Sequence, residues 1–176
     1  MNIKTPKFLV FDCDGILSSH QFYYSEDGKV LKKFGADDND ALSLLKHHLE
    51  KIIFVTGDKR GFNITKKRVN DMGYECELVS TIKRIDWIKE RFNPEETIYC
   101  GDGIFDHYVF KEVGYGITTS EAFYHVQKEA DFITHRVGGD RAVAEICLHL
   151  LYKFFKKYDP NKLPSEIINE GRDWTI

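Results

Sequence analysis

The stretch KFLVFDCDGILSS, Lys7 to Ser19, begins as a buried strand and ends on charge. Four apolar residues, Phe8 to Phe11, run straight into Asp12, Cys13, Asp14 and Gly15. Side chains alternate along an extended strand, which puts Asp12 and Asp14 on the same side. Like charges that close raise each other's pKa unless a cation or a proton separates them. The bland alternative is a helix cap or a surface turn after the strand. It is set aside because other strand ends along the chain carry matching chemistry.

Outward from this segment, short apolar runs recur: KIIFV at 51–55, ELVS at 77–80, TIYC at 97–100, YGIT at 115–118 and DFIT at 131–134. Continuous rather than alternating apolar runs predict strands covered on both faces. Helical patterns lie between them. Leu42, Leu45 and Leu49 share a face after acids that suit a helix start, ITKKRVNDMG ends on a glycine, and KRIDWIKERF stops at Asn93-Pro94. Ala142, Val143, Ile146, Leu150 and Phe154 form the stripe of a last helix. Alternating strands and helices predict an α/β fold, a doubly wound parallel sheet with right-handed crossovers. One segment breaks the rhythm. HQFYYSEDGKVLKKFG, 20–35, reads as a β-hairpin turning at Asp27-Gly28, inserted after the first strand. The expected organisation is one domain over 1–158 and a C-terminal arm over 159–176, whose Ile167, Ile168 and Trp174 suggest packing.

Composition narrows the function classes. At 176 residues the chain suits a single domain with a sizeable core. A net charge of −3 leaves no basic footprint for nucleic acid, and no apolar run is long enough to span a membrane. Cys13, Cys76, Cys100 and Cys147 form no C-x-x-C pair and read as reduced core residues, as in a cytoplasmic protein. His20, His47, His48, His107 and His125 show no metal-ligand spacing.

In a doubly wound sheet, ligands bind at the carboxyl ends of the strands. Here those ends carry Asp12 and Asp14; then Thr56, Gly57 and Asp58; then Lys83 and Arg84 at a helix start; then Asp102 and Asp106 in CGDGIFD. Carboxylates with room for water suit Mg²⁺, which would also relieve the repulsion among the acids. The ordered set, Asp-x-Asp-Gly, Thr-Gly, a basic residue and Gly-Asp-Gly-x-x-Asp, resembles the haloacid dehalogenase superfamily of phosphohydrolases.

The resemblance implies Asp12 as nucleophile forming an aspartyl-phosphate, and Asp14 as general acid and then base. It implies Mg²⁺ held by the Asp12 carboxylate, the Asp14 carbonyl and Asp102, with Asp106 orienting a metal-bound water or the basic residue. Thr56, Gly57 and backbone N–H groups near Cys13 to Gly15 would bind phosphoryl oxygens; Asp58 and Lys59 read either as contacts to the rest of the substrate or as a local ion pair. An ungapped match of STIKRIDWIKE puts Arg84 at the basic position; a one-residue shift would use Lys83 instead.

The spacings Asp14–Thr56 and Thr56–Asp102 leave no room for a separate cap domain. Capless members with such a hairpin resemble the 3-deoxy-D-manno-octulosonate 8-phosphate and nonulosonate 9-phosphate phosphatases, as do FGADD and GGDRAVAE. That likeness implies a small phosphorylated sugar or sugar acid as substrate and a homotetramer with hairpins packed together. Two residues depart from the octulosonate pattern: Asp58 where arginine is usual, and Arg141 in place of a glycine. The competing expectation is a catalytically silent domain of this fold that serves oligomerisation beside sugar-nucleotide enzymes. The presence of Asp12, Asp14 and Asp102 argues for activity.

Overall fold

In a computed structural model of the chain, residues 5–162 are described. The strands are β1 (Phe8–Asp12), β2 (Ser18–Ser25), β3 (Gly28–Phe34), β4 (Lys51–Thr56), β5 (Glu75–Leu78), β6 (Thr97–Cys100), β7 (Tyr115–Thr119) and β8 (Phe132–Thr134). The helices are α1 (Asp38–Leu45), α2 (Phe62–Asp71), α3 (Arg84–Arg91), α4 (Asp106–Phe110), α5 (Tyr124–Gln127) and α6 (Ala142–Phe154). Six strands make one parallel sheet in the order β5-β4-β1-β6-β7-β8, and β2 with β3 forms a separate hairpin. This is the expected α/β architecture. From β1 the chain passes to β4 on one side and to β6 on the other, so the topological switch point lies at β1.

The period-two alternation of β1 divides the core. Leu9 and Phe11 pack with Leu42 and Leu45 of α1, Val69 of α2 and Val143 and Ile146 of α6. Val10 packs on the other face with Trp87 and Ile88 of α3, Val109 of α4 and Val126 of α5. Asp12 shares the parity of Val10, so its side chain emerges toward α3 and α4. That parity brings Arg84 and Asp106 within its reach.

Two expected elements move. The third strand covers Glu75–Leu78, not 77–80, because Gly73 at φ +83° stops α2 and the chain pairs Ile53 with Glu75. It is an edge strand with Cys76 inward and Leu78 exposed, so its apolar letters do not mark the buried face. The hairpin turns at Glu26-Asp27, one residue early, with Gly28 (φ +122°) opening β3 opposite Ser25. Most of the proposed arm, residues 163–176 with Ile167, Ile168 and Trp174, lies outside the described residues. All four cysteines are free and buried. Among the described residues no helix is long and apolar enough to cross a membrane.

Arg141 adopts the left-handed conformation (φ +68°) that the glycine of the octulosonate pattern would take freely. Its Nε pairs at 2.5 Å with Asp37, itself left-handed at φ +66°. The two strained residues stand at the starts of α6 and α1 and clasp those helices together.

Asp38, in the first turn of α1, is fully buried. Its Oδ1 accepts the Ala144 N–H at 3.0 Å, while Oδ2 has no partner. Burial raises its pKa from 3.8 to about 6, against the Ala144 bond and the charge of Arg68. A carboxyl whose folded pKa is raised is best tolerated below its unfolded value and costs most above its folded one. A shift of roughly two units corresponds to about 3 kcal/mol of lost stability between pH 4 and pH 8. Asp38→Asn keeps the oxygen acceptor and removes the titration. Its stability relative to wild type, from urea midpoints, is expected to improve by about that amount from pH 4 to pH 8. An equal difference at both pH values would show that Asp38 carries no such penalty.

Candidate active site

The carboxyl ends of β1, β4 and β6 meet at the switch point and deliver the acids that the sequence singled out. Asp12 is 5% exposed, and Arg84, at the start of α3, is 1% exposed. The Arg84 guanidinium makes a two-pronged contact, NH1 to Asp12 Oδ2 at 2.6 Å and NH2 to Oδ1 at 2.8 Å. Oδ1 also accepts the Cys13 N–H at 2.7 Å. Arg84 NH1 reaches Asp106 Oδ1 at 3.2 Å and donates to the Tyr99 hydroxyl, which itself donates to Asp106 at 2.8 Å. Lys83, the other candidate for the basic position, points outward and pairs at 3.8 Å with Asp86.

Asp12, Asp102 and Asp106 each offer an oxygen within 4.8 Å of the others. One guanidinium does not balance three buried acids. Burial, with the neighbouring Asp12 and Asp106 charges, pushes Asp102 up to about 9 against the opposing pull of Arg84. Burial raises Asp12 to about 6, held from going higher by Arg84. Asp102 Oδ1 is buried with no hydrogen-bond partner. A cluster short of positive charge, with an orphaned hard oxygen, fits a divalent cation such as Mg²⁺. Gly15, at φ +88°, makes the close approach possible: a Cβ there would fall 2.2 Å from Asp102 Oδ2.

Asp14 is turned to different partners. Its Oδ2 accepts from the Thr56 hydroxyl at 3.0 Å, and its Oδ1 from Lys32 Nζ at 2.6 Å and Ser18 Oγ at 3.2 Å. The repulsion expected from the Asp-x-Asp spacing is answered by two cations, Arg84 for Asp12 and Lys32 for Asp14. The Thr56 hydroxyl also accepts the Asp58 N–H at 3.0 Å. Asp58 Oδ1 accepts from Gly61, and Oδ2 pairs with Lys32 at 2.9 Å and with Lys29. Burial alone would raise the Asp58 carboxyl, but the bonds from Lys29 and Lys32 bring it down to about 2. Gly57 and Lys59 are exposed at the rim. Two backbone donors expected at a phosphoryl group are engaged within the chain, Cys13 with Asp12 and Gly15 with the Ser18 carbonyl.

Sequence reasoning missed several participants. Lys29 and Lys32 sit on β3, where a lysine reads as a solvated strand residue. Tyr99 reads as core within TIYC. His20, whose letters show only a surface or rim histidine without metal-ligand spacing, brings Nδ1 to 3.3 Å from Asp102 and Nε2 to 3.7 Å from Glu121.

No protein-family profile matches the chain. Curated relatives do. The 3-deoxy-D-manno-octulosonate 8-phosphate phosphatase KdsC of Salmonella typhi is 28% identical over 150 residues, covering 82% of this chain and 79% of the relative. The Escherichia coli K12 protein of the same name is 27% identical over the same span. The cobalt-bound Haemophilus influenzae octulosonate phosphatase superposes with a TM-score of 0.75 at 25% identity, covering 84% of this chain and 88% of that one. The Moraxella catarrhalis octulosonate phosphatase, solved with magnesium, phosphate and KDO, gives 0.74 at 26% identity, with coverages of 85% and 87%. Ordered motifs, sheet topology and these likenesses agree: the chain is an enzyme of the phosphatase kind that resembles the haloacid dehalogenase hydrolases, the octulosonate 8-phosphate phosphatases among them.

Proposed function

We propose that the protein is a Mg²⁺-dependent phosphomonoesterase acting on a small sugar or sugar-acid phosphate of the octulosonate or nonulosonate type. The observation that carries the reading is the pairing of a buried Asp12, held by Arg84, with Asp14 held by Thr56 at the same switch point. Asp12 attacks phosphorus, the bond from phosphorus to the leaving oxygen breaks, and Asp14 gives its proton to the departing alcohol. A water then attacks the aspartyl-phosphate, Asp14 takes the proton of that water, and inorganic phosphate leaves with Asp12 regenerated. With a pKa of about 6, Asp12 is ionised at neutral pH and able to attack. Arg84 serves as the basic residue of the third motif, keeping Asp12 oriented and charged. Asp12, Asp102 and the Asp14 carbonyl would hold Mg²⁺, with Asp106 fixing Arg84 and Tyr99 beside it. When bound, the metal supplies positive charge against the phosphoryl oxygens and the clustered acids. Thr56 and Gly57 border the phosphoryl position. Lys59 lies at the rim to meet the rest of the substrate, and Asp58 shapes that rim through its lysine pairs. The exposed Phe22, Tyr23, Tyr24 and Leu31 of the hairpin support a homotetramer assembled through that element.

The test is phosphate release from octulosonate, nonulosonate and hexose phosphates, with Mg²⁺ and with EDTA. A long-chain sugar-acid phosphate is expected to be preferred. Chelation is expected to cost about 10³-fold or more, near 4 kcal/mol of transition-state stabilisation. Flat activity across the panel removes the sugar-acid assignment. No release at all would favour the silent oligomerisation domain, and a monomer mass by light scattering would remove the tetramer.

A further inference from the structure

Lys32 is a residue of the hairpin, yet its ammonium lies beneath the catalytic rim with the side chain fully buried. A lysine ammonium has three donors. Here Asp14 Oδ1 at 2.6 Å, Thr65 Oγ1 at 2.8 Å and Asp58 Oδ2 at 2.9 Å are placed to take all of them. Burying an ammonium is costly, and a well-packed apolar side chain of similar volume would anchor the hairpin as well or better. The chain nevertheless spends a charge here, and the shortest of these contacts is to the Asp14 carboxylate. The other side-chain donors to Asp14, Thr56 and Ser18, lie on β4 and at the start of β2. Lys32 is the donor from β3, eighteen residues away, and Phe22, its register partner on β2, lies against it with the ring centroid 5.5 Å from Nζ.

We propose that Lys32 is a positioning residue for the reaction, fixing the Asp14 carboxyl so that it faces the leaving oxygen and thereby tying the setting of the hairpin to catalysis. The inference rests on reading Asp14 as the acid that protonates the leaving alcohol. An alkyl phosphate such as a hexose 6-phosphate needs that proton, whereas p-nitrophenyl phosphate releases a stable anion and needs it little. The experiment compares kcat/KM for these two esters in wild type and Lys32→Met, with Mg²⁺ and with thermal melts of both proteins. Lys32→Gln, which keeps a donor, is carried alongside in case the apolar variant does not fold. The expected result is a loss in kcat/KM at least about tenfold greater for the alkyl ester than for the aryl ester, smaller in Lys32→Gln than in Lys32→Met. Equal losses on both esters, no loss, or failure of both variants to fold would make Lys32 a structural tie and overturn the proposal alone. Wild-type protein that cleaves neither ester would instead overturn the phosphatase reading beneath it.

Discussion

Asp12→Asn is expected to lower phosphate release by about 10⁴-fold or more, because an amide oxygen cannot supply the attacking electron pair of a carboxylate. The fold is expected to survive. The Asn Oδ1 can still accept from Cys13 N–H and Arg84 NH2, the two donors now on Asp12 Oδ1. Arg84 keeps Asp106 and Tyr99. The Asp12 pKa, raised by burial from 3.8 to about 6, shows that folding works against its charge even with Arg84 beside it. A raised folded value means that the ionised form takes stability away above about pH 6, and the amide removes that part. Losing half of the two-pronged ion pair offsets the gain, so melting at pH 8 should stay close to wild type. Phosphate release and thermal melts on one preparation read both halves. Substantial hydrolysis by the variant would sink the nucleophile assignment, and a collapsed melt would make Asp12 a structural acid.

How much of this was legible beforehand follows from what each kind of residue reports about its surroundings. Apolar runs locate the central strands because a strand covered on both faces must be apolar throughout, as Phe8–Phe11 and Ile52–Val55 are. Topology then brings Asp12, Thr56 and Asp102 together without any contact having to be known. The edge strand β5 escaped this logic because one of its faces is open. There Leu78 is exposed and Cys76 carries the packing, so hydrophobic letters and buried positions separate.

Lysines are the other blind spot. Lys29, Lys32 and Lys33 lie close together on β3, and nothing in the letters distinguishes the buried Lys32 from a solvated neighbour. The distinction depends on the carboxylates of Asp14 and Asp58, which approach only once the hairpin folds back over the sheet. Position 58 shows the same limit. An acid after Thr-Gly reads as a substrate contact or a local ion pair, and the described structure gives it two lysine partners. The choice between Lys83 and Arg84 turned on a single residue of register. It needed the three-dimensional start of α3, which sends Arg84 inward and Lys83 to solvent.

That register carries the second large effect. Arg84→Met removes the guanidinium that faces Asp12 and Asp106, leaving three clustered acids with no buried cation at contact distance among the described residues. Breaking a buried pair from one side costs about 3–5 kcal/mol, since the partner charge stays desolvated and unpaired. The loss should depend on pH in a defined direction. Without Arg84 the Asp12 pKa, already raised to about 6 by burial, rises further. A raised folded pKa is least damaging at low pH and most damaging above it, so the deficit should be small near pH 5 and largest near pH 8. Added Mg²⁺ should restore part of the melting temperature, because any cation at the cluster answers the same imbalance. Turnover is expected to fall by about 10³-fold even under conditions where the variant is folded, through lost orientation and charge at Asp12. Arg84→Lys should keep much of the stability and lose the two-pronged geometry. Lys83→Met removes only an exposed pair at 3.8 Å, of the kind worth about 0–1 kcal/mol, and should change neither melting nor turnover measurably. The reverse pattern, with Lys83→Met inactive and Arg84→Met active, would move the basic position back by one residue.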